Sequence, residues 1–211
     1  MSNRKFTTVI CGLFTVILLL TGCSTTEEPP STIHYDDVLE NGFGLSVSET
    51  VERYQLDEST VIKEEKTEEN REIWTLPTSN SVILGYPATI SLTFDDGLLT
   101  HVDYLLNFDN ENEETYEALI DLYNDVEKKL GEPSDFWNNQ KPFDRFSNFN
   151  SFEETVKPVI ETDGIYMEGN NWLLSNPEDM GENGSEYVNL RLMMFESGSA
   201  TIELLVYRSD S

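Results

Sequence analysis

The residue of this chain best equipped for covalent chemistry is Cys23, which follows Leu20-Thr21-Gly22 and closes an almost uncharged run from Phe6 to Leu20. Arg4 and Lys5 stand ahead of that run. Its apolar core, Val16 to Leu20, is too short to span a bilayer and reads as a cleavable secretory segment. Small residues at Thr21 and Gly22 let a peptidase groove close on the backbone, while the Cys23 thiol is the strongest nucleophile of the stretch. The second cysteine, Cys11, lies inside the run. Were the run removed and Cys23 modified, no thiol would be left for a disulfide, a thiolate metal site or a cysteine nucleophile.

This arrangement resembles the signal peptide and lipobox of bacterial lipoproteins. The resemblance implies that Cys23 becomes the mature N-terminus and carries lipid on sulfur. It also implies attachment to the extracytoplasmic face of the cell membrane, with the membrane itself as the first partner. A diacylglyceryl group buries two chains at about 0.8 kcal/mol per methylene, enough for stable anchoring where one chain is not. The chain then divides into a signal peptide at 1–22, a flexible tether at 23–37 and a globular part at 38–211. The tether reading rests on Ser, Thr, Glu and the pair Pro29-Pro30, which offer no apolar area to bury.

Other residue groups with chemical potential are weaker. Leu92-Thr93-Phe94-Asp95-Asp96-Gly97 resembles the first motif of polysaccharide deacetylases, whose aspartates serve as base and metal ligand. Those enzymes need two further histidines four residues apart, and the histidines of this chain are His34 and His101. An Asp-Gly turn between two alternating strands explains the same string. Asp109, Glu111, Glu113 and Glu114 form an acidic run, but counting from Asp109 the sixth and twelfth places hold Glu114 and Ile120 rather than the Gly and Glu of a calcium loop. There is no Gly-x-Ser-x-Gly elbow. The residues left as a candidate binding patch are Phe136, Trp137 and Phe143 in an aromatic, Asn-rich stretch, together with Trp172. No motif calls for a cofactor or a metal.

The 211 residues hold 40 acidic and 13 basic side chains, a formal charge of −27. The first 22 residues contain Arg4 and Lys5 and no acid, so the mature chain is more negative by two. Such a charge repels nucleic acid and anionic lipid surfaces and favours cations or basic partners.

The elements that must position these residues are legible from periodicity. Ser46 with Glu49 is a capping-box pattern opening a helix over 47–55, with Val47, Val51 and Tyr54 on one face. Strands are expected at 71–76 and 81–86. A hairpin follows in which Ile90, Leu92 and Phe94 alternate with polar residues before the Asp-Gly turn, and Val102, Tyr104, Leu106 and Phe108 alternate after it. Tyr116, Leu119, Ile120, Tyr123, Val126 and Leu130 form a stripe for a helix over 113–130, with acids in its first turn, lysines in its last, and Gly131 and Pro133 to stop it. After a loop to about Phe152, a short helix at 153–160 interrupted by Pro158 leads to strands at 164–174, 188–195 and 200–207. Residues 176–185 read as a polar loop.

The expected class is therefore α+β, helices laid on antiparallel sheet. The order helix, strands, helix, strands matches two similar halves dividing near 109–112, and resembles in outline the duplicated helix-and-sheet folds of the beta-lactamase-inhibitor type. The functional expectation is a non-enzymatic binding or interaction module of the cell envelope, its partner another envelope protein, with a carboxylate hydrolase acting on the cell wall as the alternative.

Overall fold

The computed structural model describes residues 33–66, 70–78, 81–110, 112–138, 149–174 and 185–209. The lipobox and the tether up to residue 32 lie outside them. The chain is mixed α+β and mostly sheet, with one eight-stranded antiparallel sheet and a small two-stranded one. Its helices are α1 (Tyr35–Asp37), continued by a π turn at Val38–Gly42, α2 (Val47–Tyr54), α3 (Glu113–Leu130) and α4 (Phe149–Asp163). Its strands are β1 (Ile62–Lys66), β2 (Arg71–Leu76), β3 (Val82–Ile83), β4 (Tyr86–Pro87), β5 (Thr89–Asp95), β6 (Leu98–Phe108), β7 (Asp135–Asn138), β8 (Ile165–Leu173), β9 (Ser185–Phe195) and β10 (Ala200–Ser209). The large sheet runs β1-β2-β5-β6-β10-β9-β8-β7, and β3 pairs with β4.

Local chemistry explains the best-defined elements. Ser46 accepts from the Glu49 backbone while Glu49 Oε2 accepts from the Ser46 backbone at 2.8 Å, so both ends of the capping box are made and α2 starts where the pattern places it. Asn112 caps α3 through its side chain, and Lys128 and Lys129 close the helix at its negative end. Asp96 (φ 52°) and Gly97 (φ 77°) both take left-handed backbone, the requirement of a two-residue hairpin turn, and Asp95 pairs with Leu98.

Three expectations need correction. Residues 33–37, read as tether, are packed rather than free: Ile33 and Tyr35 are 1% and 2% exposed, and the Tyr35 hydroxyl donates to Asp125 Oδ2 at 2.8 Å. An apolar residue at 33, 35 and 38 is enough to dock this segment, whatever the polarity of the residues before it. The strand expected at 81–86 is instead the β3-β4 hairpin, turned at Leu84 (φ 49°) and Gly85 (φ 89°). The loop expected to reach Phe152 contains β7 and the first turn of α4, and α4 runs through Pro158 to Asp163. Phe152, Val156, Val159 and Ile160 bury one stripe of it, and that packing outweighs the hydrogen bond Pro158 removes. β1 was not expected; its Lys63, Glu64 and Glu65 give it the charged look of a solvated loop while suiting an edge strand.

One sheet face carries the core. Trp74, Leu76, Ile90, Leu92, Phe94, Val102, Tyr104, Leu106, Ile202, Leu204, Val206, Val188, Leu190 and Leu192 alternate onto it, and the buried stripes of α3 and α4 lie in the same apolar cluster. Tyr123 meets Trp172 with ring centroids 5.9 Å apart. The side chains between those residues point the opposite way.

Candidate functional site on the open face of the sheet

That opposite face is assembled by register. β6, β10, β9 and β8 lie side by side, so Asp103 faces Leu205, Leu205 faces Asn189 and Asn189 faces Asn171. One pair further along, Leu105 faces Glu203, Glu203 faces Arg191, and Arg191 faces Gly169. On the other side of the first row, His101 faces Tyr207 and Tyr207 faces Tyr187. Period-two alternation puts all three rows on one surface.

The third row is a stack of rings. His101 and Tyr207 are parallel to within 4° at 5.6 Å, and Tyr207 and Tyr187 to within 14° at 4.9 Å. A register shift between Thr93 and Phe94 leaves Thr100 as a bulge residue, and its hydroxyl donates to Asp95 Oδ2 at 2.7 Å and lies 2.8 Å from His101 Nδ1. Asp95 Oδ1 accepts from Arg71 Nε at 2.6 Å. Burial acts to raise the Asp95 carboxyl, but the bonds from Arg71 and Thr100 outweigh it and hold the group below the usual range. The aspartates of the Leu92–Gly97 string are thus spent on a hairpin turn and its ion pair.

The Asp103 and Glu203 rows are electrostatically unbalanced. Glu203 accepts from Arg191 Nη1 at 3.2 Å. The Asp103 carboxyl is pushed up to about 7, chiefly by burial and then by Glu203, with Arg191 acting against the shift. Six buried side-chain polar atoms have no hydrogen-bond partner among the described residues, and three of them are here: Asp103 Oδ1, Asn189 Oδ1 and Arg191 Nε. Asn189 is 6% exposed, and its amide nitrogen donates to Asn171. Buried polar atoms are paired in the great majority of cases, so three orphans on β6 and β9, on either side of β10, mark a local defect in pairing.

The four aromatic residues read from sequence as a patch do not share a surface. Trp172 is 1% exposed on the helix-covered side, where its Nε1 donates to the Gly131 carbonyl at 2.9 Å, so it belongs to the core. Phe136 and Trp137 are consecutive on β7 and point to opposite sides. Phe136 pairs with Asn170 on the covered side and is 37% exposed, while Trp137 pairs with Gly169 on the open face. Its indole fills the space a side chain at 169 would need, since a Cβ there would lie 2.6 Å from the ring. Phe143 lies outside the described residues. Trp137 alone joins the open-face site, beside Arg191.

Elsewhere a groove of about 280 Å³ is lined by Asn110, Phe149, Phe152 and Lys157, and another of about 300 Å³ by Tyr86, Phe108, Asn112 and Glu114. Neither includes a residue of the three rows. Among the described residues, Asp109, Glu113 and Glu114 included, no three His, Cys, Asp or Glu side chains come together as a metal site; Glu111 lies outside them. Among them, too, no helix is long and apolar enough to cross a membrane. No protein-family model matches the chain, and no curated protein or solved structure matches it.

The residues of this candidate site that sequence reasoning did not bring together are His101, Asp103, Arg191, Asn189, Glu203, Tyr187 and Tyr207. Alternation within each strand marks them as outward-facing. Their meeting depends on β10 pairing with β6, which period alone does not encode.

Proposed function

We propose that this protein is a lipid-anchored lipoprotein of the cell envelope, held at the extracytoplasmic face through Cys23, that works as a non-enzymatic binding module. Its docking surface is the open face of the large sheet, and its partner is another envelope protein. The observation that carries this reading is the His101-Tyr207-Tyr187 stack on the sheet face that none of the described helices covers. A face kept only for solubility would carry charged, fully hydrated side chains there. The strand order adds support. β1, β2, β5 and β6 form one half and β7, β8, β9 and β10 the other, joined at the β6-β10 pair, each preceded by a helix, α2 or α3. We read that order as two similar helix-plus-sheet halves.

A hydrolase would draw on Asp103 and Glu203, which lie on adjacent strands with the first carboxyl pushed up to about 7. Glu203, however, is committed to Arg191. A glycosidase pair needs both carboxyls turned to the substrate, so the arrangement favours binding over catalysis.

Two experiments test the reading. Labelled palmitate should enter the wild-type chain in cells and not Cys23→Ala; equal labelling would end the anchor proposal. A photo-crosslinking residue placed at Tyr207 or Tyr187 should capture an envelope protein in intact cells, and the same residue at Glu117 on the exposed side of α3 should not. Capture at 117 alone would move the docking surface to the helices.

A further inference from the structure

A groove of about 300 Å³ opens where three elements meet at their ends, apart from the open face of the sheet. Tyr86 and Pro87 line it from β4, Asn107 and Phe108 from the end of β6, and Asn112 and Glu114 from the start of α3, with Asp109 and Asn110 in the connection. Each of these residues is partly or fully exposed, so a molecule from outside can reach the lining. The Tyr86 and Phe108 rings pack on the core and border the groove. Asp109 and Glu114 are exposed, and their carboxyls make no ion pair or hydrogen bond among the described residues. None of the described residues lining the groove is basic.

That lining sorts ligands by charge and by shape. An anion would meet carboxylates with no cation to balance it, and an uncharged apolar molecule would strip water from them without replacing it. A compact metal ion needs converging ligands, and among the described residues no three His, Cys, Asp or Glu side chains converge. The acids are instead strung out. Glu114, Glu117 and Asp121 recur on one face of α3 over about 10 Å of helix axis. All three act on Tyr86: its hydroxyl donates to Asp121 Oδ2 at 2.8 Å and is pushed up to about 12, chiefly by burial, then by Asp121, Glu117 and Glu114. An ammonium group is a point charge that suits a carboxylate, and an aromatic ring attracts it while its alkyl stem lies on apolar surface.

We infer that this groove binds a linear polyamine, an unbranched alkyl chain carrying two or more ammonium groups. The stem lies over Tyr86, Pro87 and Phe108, and the ammonium groups stand at Asp109, at Glu114 and along the acids of α3 that follow it. A chain of separated charges matches acids that border one groove without converging on one point. The charge of −27 draws cations of every shape toward the protein. The rings add what bulk charge lacks, a preference for a cation with an apolar stem. A lysine side chain shares that stem but carries a single ammonium, so it engages one end of the groove.

The test titrates the full chain in non-ionic detergent micelles by calorimetry at about 0.15 M salt, where long-range attraction is screened. The probes are spermidine, hexaamminecobalt(III), which is a compact trication without a stem, and acetyl-Gly-Gly-Lys-Gly-Gly-amide. Spermidine should bind about tenfold more tightly than either of the others. Tyr86→Leu should weaken spermidine about fivefold, while Tyr86→Phe, which keeps the ring and loses the bond to Asp121, should stay within about twofold. Asp109→Asn with Glu114→Gln should weaken it about tenfold. Glu64→Gln with Glu65→Gln makes the same change of net charge on the edge strand β1 and should cost about twofold or less. Equal binding of spermidine and the compact trication, equal losses in the two double variants, tighter binding of the lysine probe, or no binding of spermidine would overturn the inference. Circular dichroism checks the fold of each variant, and the comparison of probes on the wild-type chain decides the matter even where a variant misfolds.

Discussion

The two faces of the large sheet solve the problem of a buried carboxyl in different ways. On the covered face Glu168 is 5% exposed and accepts from the Tyr166 hydroxyl at 2.9 Å, a pair made within one strand. Burial pushes its carboxyl up to about 7 and that bond pulls it back only in part. On the open face Asp103 reaches about 7 as well, by burial and by Glu203, but one of its oxygens has no hydrogen bond. The first is a carboxyl paired within a core, and the second is a largely buried carboxyl with one bond unmade. Surrounding residues match this division: Trp172, Val188, Leu190 and Leu204 on one side are in the apolar cluster, and Tyr187, Asn189, Glu203 and Leu205 on the other are interleaved by type.

If the covered face is core, damage there must cost far more stability than damage on the open face. Trp172→Ala should lose about 3–5 kcal/mol in chemical denaturation, from the cavity and from the Gly131 bond left unmade. A loss under about 1 kcal/mol would mean the ring does not hold α3 to the sheet.

The two carboxyls sharpen the comparison through pH. The folded Glu168 holds a proton that the unfolded chain has already released between its ordinary 4.5 and about 7, so the native state is favoured at the acid end of that window and loses stability as pH rises through it. At pH 8 the ionised group is a burden of about 3 kcal/mol. Glu168→Gln should remove this burden, raising the melting temperature at pH 8 and leaving it little changed at pH 4. Identical pH profiles for variant and wild type would show that the carboxyl is hydrated.

Open-face changes come next in size. Tyr207→Ala breaks two ring stacks and should cost about 1–2 kcal/mol, well below the tryptophan deletion, while abolishing crosslinked partner at Tyr187. Retained capture would separate the stack from the docking role. The smallest effect is expected from Gly169→Ala, where the new methyl displaces the Trp137 indole at the cost of about 1 kcal/mol. The readout is tryptophan emission, which should shift toward the red as that ring leaves the sheet; an unchanged spectrum would mean that Trp137 does not rest on residue 169.

The covered face was far more legible beforehand than the open one. The alternation of Ile90, Leu92 and Phe94 and the stripe from Tyr116 to Leu130 are signals of burial, and burial is local in its demands: each such residue needs only some apolar neighbour. The capping of α2, the ends of α3 and the Asp96-Gly97 turn were readable for a similar reason, since a cap or a two-residue turn is satisfied within a few residues. β1 was not, because its exposed Lys and Glu carry no burial signal, and α4 was shortened in expectation by a proline whose penalty is offset by distant packing. The candidate site was nearly invisible. The search for a patch weighed aromatic content along a single stretch, and aromatic content does not tell a core ring such as Trp172 from a surface ring such as Tyr207.

By itself the amino-acid sequence determined the lipobox pattern around Cys23, the acidic charge, the α+β class and most element boundaries, because each depends on composition or on contacts a few residues apart. Only the tertiary structure decided which outward-facing residues meet. Asp103 and Glu203 stand 100 positions apart in the chain and become neighbours because β10 closes against β6 after α3, α4 and three strands have intervened. Pairing at that distance is selected by how the apolar sides of all the strands pack beneath the helices, and the polar residues on the other side are carried into register with them.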